Sequence, residues 1–158
     1  MYKEFEKKWS IHWFKNIYLN PDKNWHYYGL SANPYITWKI VHENPDTHLN
    51  YYFLSMNRNI TWEIVQANPD KDWDYIELSK NITWEIVQAN PDIPWCYWSL
   101  SENPNITWEI IQANQNKPWS YISFSINTNI TWEIVQANQD KPWNYTFLSG
   151  NLNITWEI

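Results

Sequence analysis

The 158-residue chain holds one cysteine, Cys96, and two glycines. A single cysteine excludes an internal disulfide and agrees with a reducing compartment. Two glycines leave few places for the positive-φ turns on which hairpins and β-solenoids lean. No apolar run approaches the roughly 18–20 residues of a membrane span. The opening "MYKEFEKKWS" lacks the apolar stretch of a secretory leader, so the expected location is intracellular, not secreted. Basic residues are few: 11 Lys+Arg stand against 17 Asp+Glu, a net charge of −6 without a basic stripe. That argues against nucleic acid and against an anionic membrane as partners. His12, His26, His42 and His48 have no partner at metal-ligand spacing, so no metal or other cofactor is expected. Cys96 has no His or base beside it, and its slot holds Asp74, Ser120 and Asn144 in other repeats. The chain is therefore expected not to be an enzyme.

What abounds is aromatic area: 14 Trp, 11 Tyr and 5 Phe, which argues for a folded chain. "NITWEIVQANPD" stands at 81–92 and returns nearly letter for letter at 59–70, 105–116 and 129–140. The Trp of I-T-W falls at 38, 62, 84, 108, 132 and 156, in steps of 24, 22, 24, 24 and 24. A second Trp series runs 25, 73, 95, 119 and 143, with Leu49 in the missing place. The short step is local. "LSENPNITW" (100–108) has the counterpart "LSKNITW" (78–84), so a loop is expected between LS and IT.

Each unit has two halves, exemplified by "ITWEIVQAN" (60–68) and "DKPWNYTFLSGN" (140–151). Thr61 before Trp62-Glu63 reads as a helix cap with acid in the first turn. Asp140 before Lys141-Pro142 reads as a second cap, with Pro in its first turn. Each half ends at an Asn, often before Pro, as in Asn68-Pro69, Asn90-Pro91 and Asn103-Pro104; Asn suits the left-handed residue that stops a helix. The expected fold is all-α: a solenoid of short helix pairs in 24-residue repeats. The alternative is a β-hairpin or β-solenoid repeat, because "ITWEI" alternates apolar and polar and is rich in strand formers. One repeat cannot cover its own apolar faces, so copies must stack. Residues 1–158 are read as one repeat domain. Residues 1–33 form a degenerate N-terminal capping repeat, with Phe14 near the Trp place and Trp13 one position off. Residues 34–158 are tandem repeats, the last incomplete.

The run "NPNITWEIIQANQNKPW" resembles the uncharacterised Trp- and Asn-rich tandem-repeat proteins of giant DNA viruses of amoebae, over roughly residues 20–158. That resemblance implies a viral origin and a setting in infected host cytoplasm or virion; the family lends no activity and no functional residue. A weaker similarity, to leucine-rich repeat variant proteins, implies an α-solenoid.

Candidate contact residues are those that vary while their neighbours repeat. They fall in three columns: His26/Asp74/Cys96/Ser120/Asn144, Tyr28/Ile76/Trp98/Ile122/Thr146 and Gly29/Glu77/Ser99/Ser123/Phe147. From them Asp74, Glu77, Cys96, Trp98, Ser99, Ser120, Ser123, Asn144 and Phe147 are taken as a partner-binding face. The expected function is a non-catalytic scaffold for a protein partner or a structural role in virion or host cell. Two alternatives are a carbohydrate-binding module with solvent-open Trp columns and a self-assembling element. For the latter, the half-repeat with Ile154, Trp156 and Ile158 would form an apolar edge for self-association. The Glu column (Glu63, Glu85, Glu109, Glu133, Glu157) is read as first-turn acid, and the Gln column (Gln66, Gln88, Gln112, Gln136) as an inter-repeat ladder or a water-facing row.

Overall fold

A computed structural model of the chain describes residues 15–17, 19–20, 22–45 and 47–154. Trp13, Phe14, Trp156, Glu157 and Ile158 lie outside the described residues. Ile154, the first apolar residue of the expected edge, is buried at 8% exposure.

Every regular element among the described residues is helical, and none is a strand. Residues 15–17 are helical, and from residue 27 on the helices are, in chain order, α1 (Tyr27–Ser31), α2 (Trp38–Glu43), α3 (Tyr51–Leu54), α4 (Trp62–Ala67), α5 (Tyr75–Ser79), α6 (Trp84–Ala89), α7 (Tyr97–Glu102), α8 (Trp108–Ala113), α9 (Tyr121–Phe124), α10 (Trp132–Ala137) and α11 (Tyr145–Gly150). Even-numbered helices begin at the I-T-W Trp and odd-numbered ones at a Tyr. The fold is an all-α repeat of short helix pairs, the solenoid class, and not the β alternative. The apparent alternation in "ITWEI" arises because Ile60 precedes α4, while Trp62 and Val65, three apart on the helix, are both buried. The short "LSKNITW" places its shortening in the turn between α5 and α6.

Packing divides the chain into two compact units, Met1–Asp74 and Tyr75–Ile158. In the first, α1 packs on α3. In the second, α5 packs on α7 and α7 on α9. Neighbouring repeats thus meet through their second helices. Both Trp columns are walls of this packing: Trp62, Trp84 and Trp108 of one, and Trp73, Trp95 and Trp143 of the other, are at most 9% exposed. Rings from successive repeats meet, Trp38 with Trp73 in the first unit, and Trp84 with Trp119 and Trp108 with Trp143 in the second.

The Asn stops work differently from the left-handed residue expected. Asn68 has φ −136° and ψ 59°, and no described residue has positive φ. Asn68 instead turns its side chain back, donating Nδ2–H to the carbonyl of Ile64 at 2.8 Å. Asn44, Asn90, Asn114 and Asn138 repeat the bond onto Ile40, Ile86, Ile110 and Ile134. The side chain thereby satisfies a carbonyl that the helix end leaves open. The Asn68 carbonyl then receives the Trp73 indole N–H at 2.8 Å, and the same bond joins Asn138 to Trp143. One residue type closes the helix and docks the next Trp, which is how the chain manages with two glycines.

The second helix also starts later than expected. Its first residue in the last repeat is Tyr145, and Asp140 to Trp143 form a turn, with Lys141 N–H on the Asn138 carbonyl and Trp143 N–H on the Lys141 carbonyl. Pro142 biases Lys141 away from the helical region. The turn brings the Trp143 indole back to Asn138. The cap is Asn144, whose side chain accepts Phe147 N–H at 3.1 Å.

Two further ladders join repeat to repeat. Asn127, 1% exposed, donates its amide to the carbonyls of Ser101, Asn103 and Ile106 at 3.0, 2.9 and 3.3 Å, while its Oδ1 accepts Asn129 N–H. Asn151 bonds Ser125 and Asn127 in the same way, and in the first unit Asn57 bonds Ser31, Asn33 and Ile36. A serine relay runs beside this Asn ladder. Ser101 Oγ donates to the Tyr97 carbonyl and accepts Ser120 N–H from the next repeat; Ser125 does so between Tyr121 and Asn144. The Asn of the N-I-T triplets adds outer rungs: Asn59 reaches the Pro34 carbonyl and Asn129 that of Pro104. The Gln column, Gln66, Gln88, Gln112 and Gln136, is exposed. The ladder is therefore made by asparagine, whose shorter side chain reaches carbonyls from inside the turn.

Candidate functional site

The three variable columns occupy three different environments. The first is the cap position of the second helix. His26 Nδ1 accepts Gly29 N–H, Asn50 accepts Tyr52 N–H and Ser120 accepts Ser123 N–H. Asp74 is buried, and half-buried Cys96 sits at the cap without a side-chain bond there. At Asp74, Cys96, Ser120 and Asn144 the side chain drifts around a constant backbone N–H that each repeat gives to the preceding Ser, and Ser120 and Asn144 cap the helix as well.

The third column points mostly inward. Ser99 and Ser123 are buried, and Glu77 pairs with Lys80 at 2.7 Å. Gly29 and Phe147 are the exceptions, both exposed, Phe147 at 40%. Ser123 Oγ donates to Glu102 of the preceding repeat at 3.4 Å. The place of Glu102 one repeat earlier belongs to Lys80, which has no acceptor to offer. Accordingly Ser99 Oγ is buried without a hydrogen-bond partner among the described residues. An unmade buried bond costs stability, so Ser99→Ala is expected to leave the protein as stable or raise its stability by up to ~1 kcal/mol. Chemical denaturation of the two chains checks this.

The second column is the outward one. In the second unit Ile76, Trp98 and Ile122 occupy one position on α5, α7 and α9, with exposures of 53%, 52% and 41%. Because these helices pack side by side, the three side chains form an apolar ridge one repeat apart. Tyr28 and Tyr52 hold this position in the first unit and are exposed too. Beside Phe147, Ile126 and Leu152 line a shallow cleft of about 340 Å³. Ile126 and Leu152 escaped the sequence reading. The available signal was an apolar residue where the preceding repeat has Glu102 for Ile126 and Thr128 for Leu152.

Glu63, Glu85, Glu109 and Glu133 face water at the first turn, as expected. Thr61, Thr83, Thr107 and Thr131 have the extended cap backbone, but their side chains make no capping bond to it. The Thr61 hydroxyl bonds the Glu63 carboxylate, and this, with the Glu63 backbone N–H, holds the carboxyl below its ordinary value of 4.5. Glu109 and Glu133 are lowered in the same way by Thr107 and Thr131. For Glu85 its own backbone N–H leads and the Thr83 hydroxyl follows. A lowered folded-state pKa contributes stability that is present above the unfolded value and is lost as pH falls through the folded one. Melting temperature is therefore expected to decline below about pH 4.5, modestly because the groups are solvent-screened. A chain with all four replaced by Gln should show a shallower decline.

Among the described residues no three His, Cys, Asp or Glu side chains are grouped to hold a metal ion, and no helix is long and apolar enough to cross a membrane. Comparison with known protein families, with characterised proteins and with solved structures gives no match. Fold and sequence together define the chain as a tryptophan-rich, all-α tandem-repeat protein.

Proposed function

We propose that this chain is a non-catalytic repeat scaffold that binds a protein partner through the ridge of Ile76, Trp98 and Ile122. The observation that carries this reading is the exposure of three large apolar side chains at one repeated position. Contiguous exposed apolar surface is where protein partners dock, and Trp is the residue most enriched at interface centres. The ladders support the same reading. The Asn, Ser and Trp polar groups are consumed in holding repeats together, which leaves the ridge as variable surface on a constant frame. The buried Trp columns weigh against a carbohydrate module, which needed them open. By its resemblance to the viral repeat proteins, the chain would act in infected amoebal cytoplasm or in the virion.

The test is affinity capture from amoebal lysate with the wild-type chain and with a Trp98→Ser/Ile122→Ser chain, followed by reconstitution with the purified captured protein. The ridge variant is expected to melt like wild type and to lose that protein. Equal retention by both would contradict the proposal. Wild-type dimerisation in sedimentation, lost in the variant, would assign the ridge to a second copy instead.

A further inference from the structure

A cleft of about 410 Å³ opens in the second unit. Trp84, Trp95 and Tyr97 line it with Val87, Pro91, Ile93 and Pro94; Lys117 is the only charged residue in the lining. Its volume is in the range of small-molecule sites, which are aromatic-lined with few polar groups.

Repeats elsewhere show what ordinarily fills the equivalent place. Lys71 is held by Asp70 at 2.8 Å and lies over the Tyr51 ring, 5.5 Å from its centroid. Lys141 is held by Asp140 at 2.8 Å and lies over Tyr121 at 5.8 Å. In each case lysine and tyrosine are twenty residues apart, the aspartate directly precedes the lysine, and the pairing raises the lysine pKa. The same spacing assigns Lys117 to Tyr97, but Asn116 stands where the aspartate would be. Lys117 is exposed and makes no ion pair among the described residues. Across the cleft, Ile93 stands where Lys23, Lys71, Lys117 and Lys141 stand in other repeats, so that wall is apolar. In a chain of net charge −6, a cleft whose one charged group is an untethered cation selects for the opposite charge.

We propose that this cleft binds a small organic anion with a flat apolar body, its negative group on Lys117 and its body against the half-buried Tyr97 ring and the wall of Pro91, Ile93 and Pro94. The ligand's anionic group takes the part that Asp70 and Asp140 play for their lysines. The apolar body occupies the space over Tyr97 that Lys71 and Lys141 cover over their own tyrosines. Specificity comes from one charge contact over an aromatic wall, so affinity is expected on the order of 0.1–1 mM.

Indole-3-acetate is the probe, with neutral indole-3-acetamide and cationic tryptamine beside it, followed by the Trp95 indole N–H signal in nuclear magnetic resonance. The acetate is expected to bind about tenfold tighter than the amide, and tryptamine more weakly than either. Lys117→Gln should bring the acetate down to the amide and leave the amide unchanged. Asn116→Asp rebuilds the tether found at Asp140 and should weaken the acetate by a similar factor at unaltered melting temperature. Equal binding of acetate and amide to wild type, acetate binding indifferent to both substitutions, or no shift at the solubility limit of the probe would each overturn the proposal.

Discussion

Replacing Asn127 with aspartate is expected to cost about 3–5 kcal/mol, the cost of a buried charge left among unmatched groups. The Asn127 amide hydrogens face three carbonyl oxygens of the preceding repeat, and the side chain is 1% exposed. Aspartate removes both hydrogens and sets a carboxylate against those carbonyls. It must either hold a charge in a dry turn or take up a proton, and either choice penalises folding. The Ser101, Asn103 and Ile106 carbonyls lose the Asn127 donor together, although Ile106 keeps the Asn129 amide and Asn103 the Ile106 N–H. The same change in chemistry at exposed Gln112, as Gln112→Glu, should move stability by no more than about 0.5 kcal/mol. Urea denaturation of the three chains makes the comparison. A loss below ~1 kcal/mol for the Asn127 variant would mean that the ladder is decorative.

Trp84→Ala is the second large effect, at about 3–5 kcal/mol. Trp84 is 6% exposed and its ring lies 5.4 Å from that of Trp119 in the next repeat. Truncation opens a cavity that the short helices α6 and α8 cannot close without breaking their register to the ladders. Trp98→Ala removes the same side chain from a position 52% exposed and should change the melting temperature little. The contrast between two tryptophans fourteen residues apart separates packing from ridge. Equal melting temperatures for Trp84→Ala and wild type would show an open Trp column and restore the carbohydrate reading.

The helix pairs were legible because periodicity and stop signals agree at each repeat. The Trp62 and Val65 spacing, the acid at Glu63 and the terminal Asn68 all point to one short helix. The mechanism of the stop was not legible. Asn68 could end a helix by left-handed backbone or by a side-chain bond to Ile64, and letters alone do not separate the two. The start of the second helix was misplaced because Pro142 suits a first turn and a preceding turn equally well. Only the reach from the Trp143 indole to the Asn138 carbonyl decides between them. The variable columns were legible as columns. Their environments were not, because a five-residue helix such as α5 turns adjacent positions from cap to solvent to core. Asp74, Ile76 and Ser79 show that sequence of buried cap, exposed ridge and buried relay. Ser99 reads as a contact residue in the sequence but is buried, and its unmet hydroxyl was not legible because the missing partner is a property of the preceding repeat.

Hydrogen exchange of side-chain amides tests the central claim, that buried asparagines join one repeat to the next through backbone carbonyls. In heavy water the NH₂ signals of Asn103 and Asn127 should persist after those of exposed Gln112 and Gln136 have disappeared. Their protection should fall together when Ser101 or Asn103 is disturbed by substitution of a neighbour in the ladder. Exchange of the Asn103 and Asn127 amides as fast as that of the two glutamines would contradict the account.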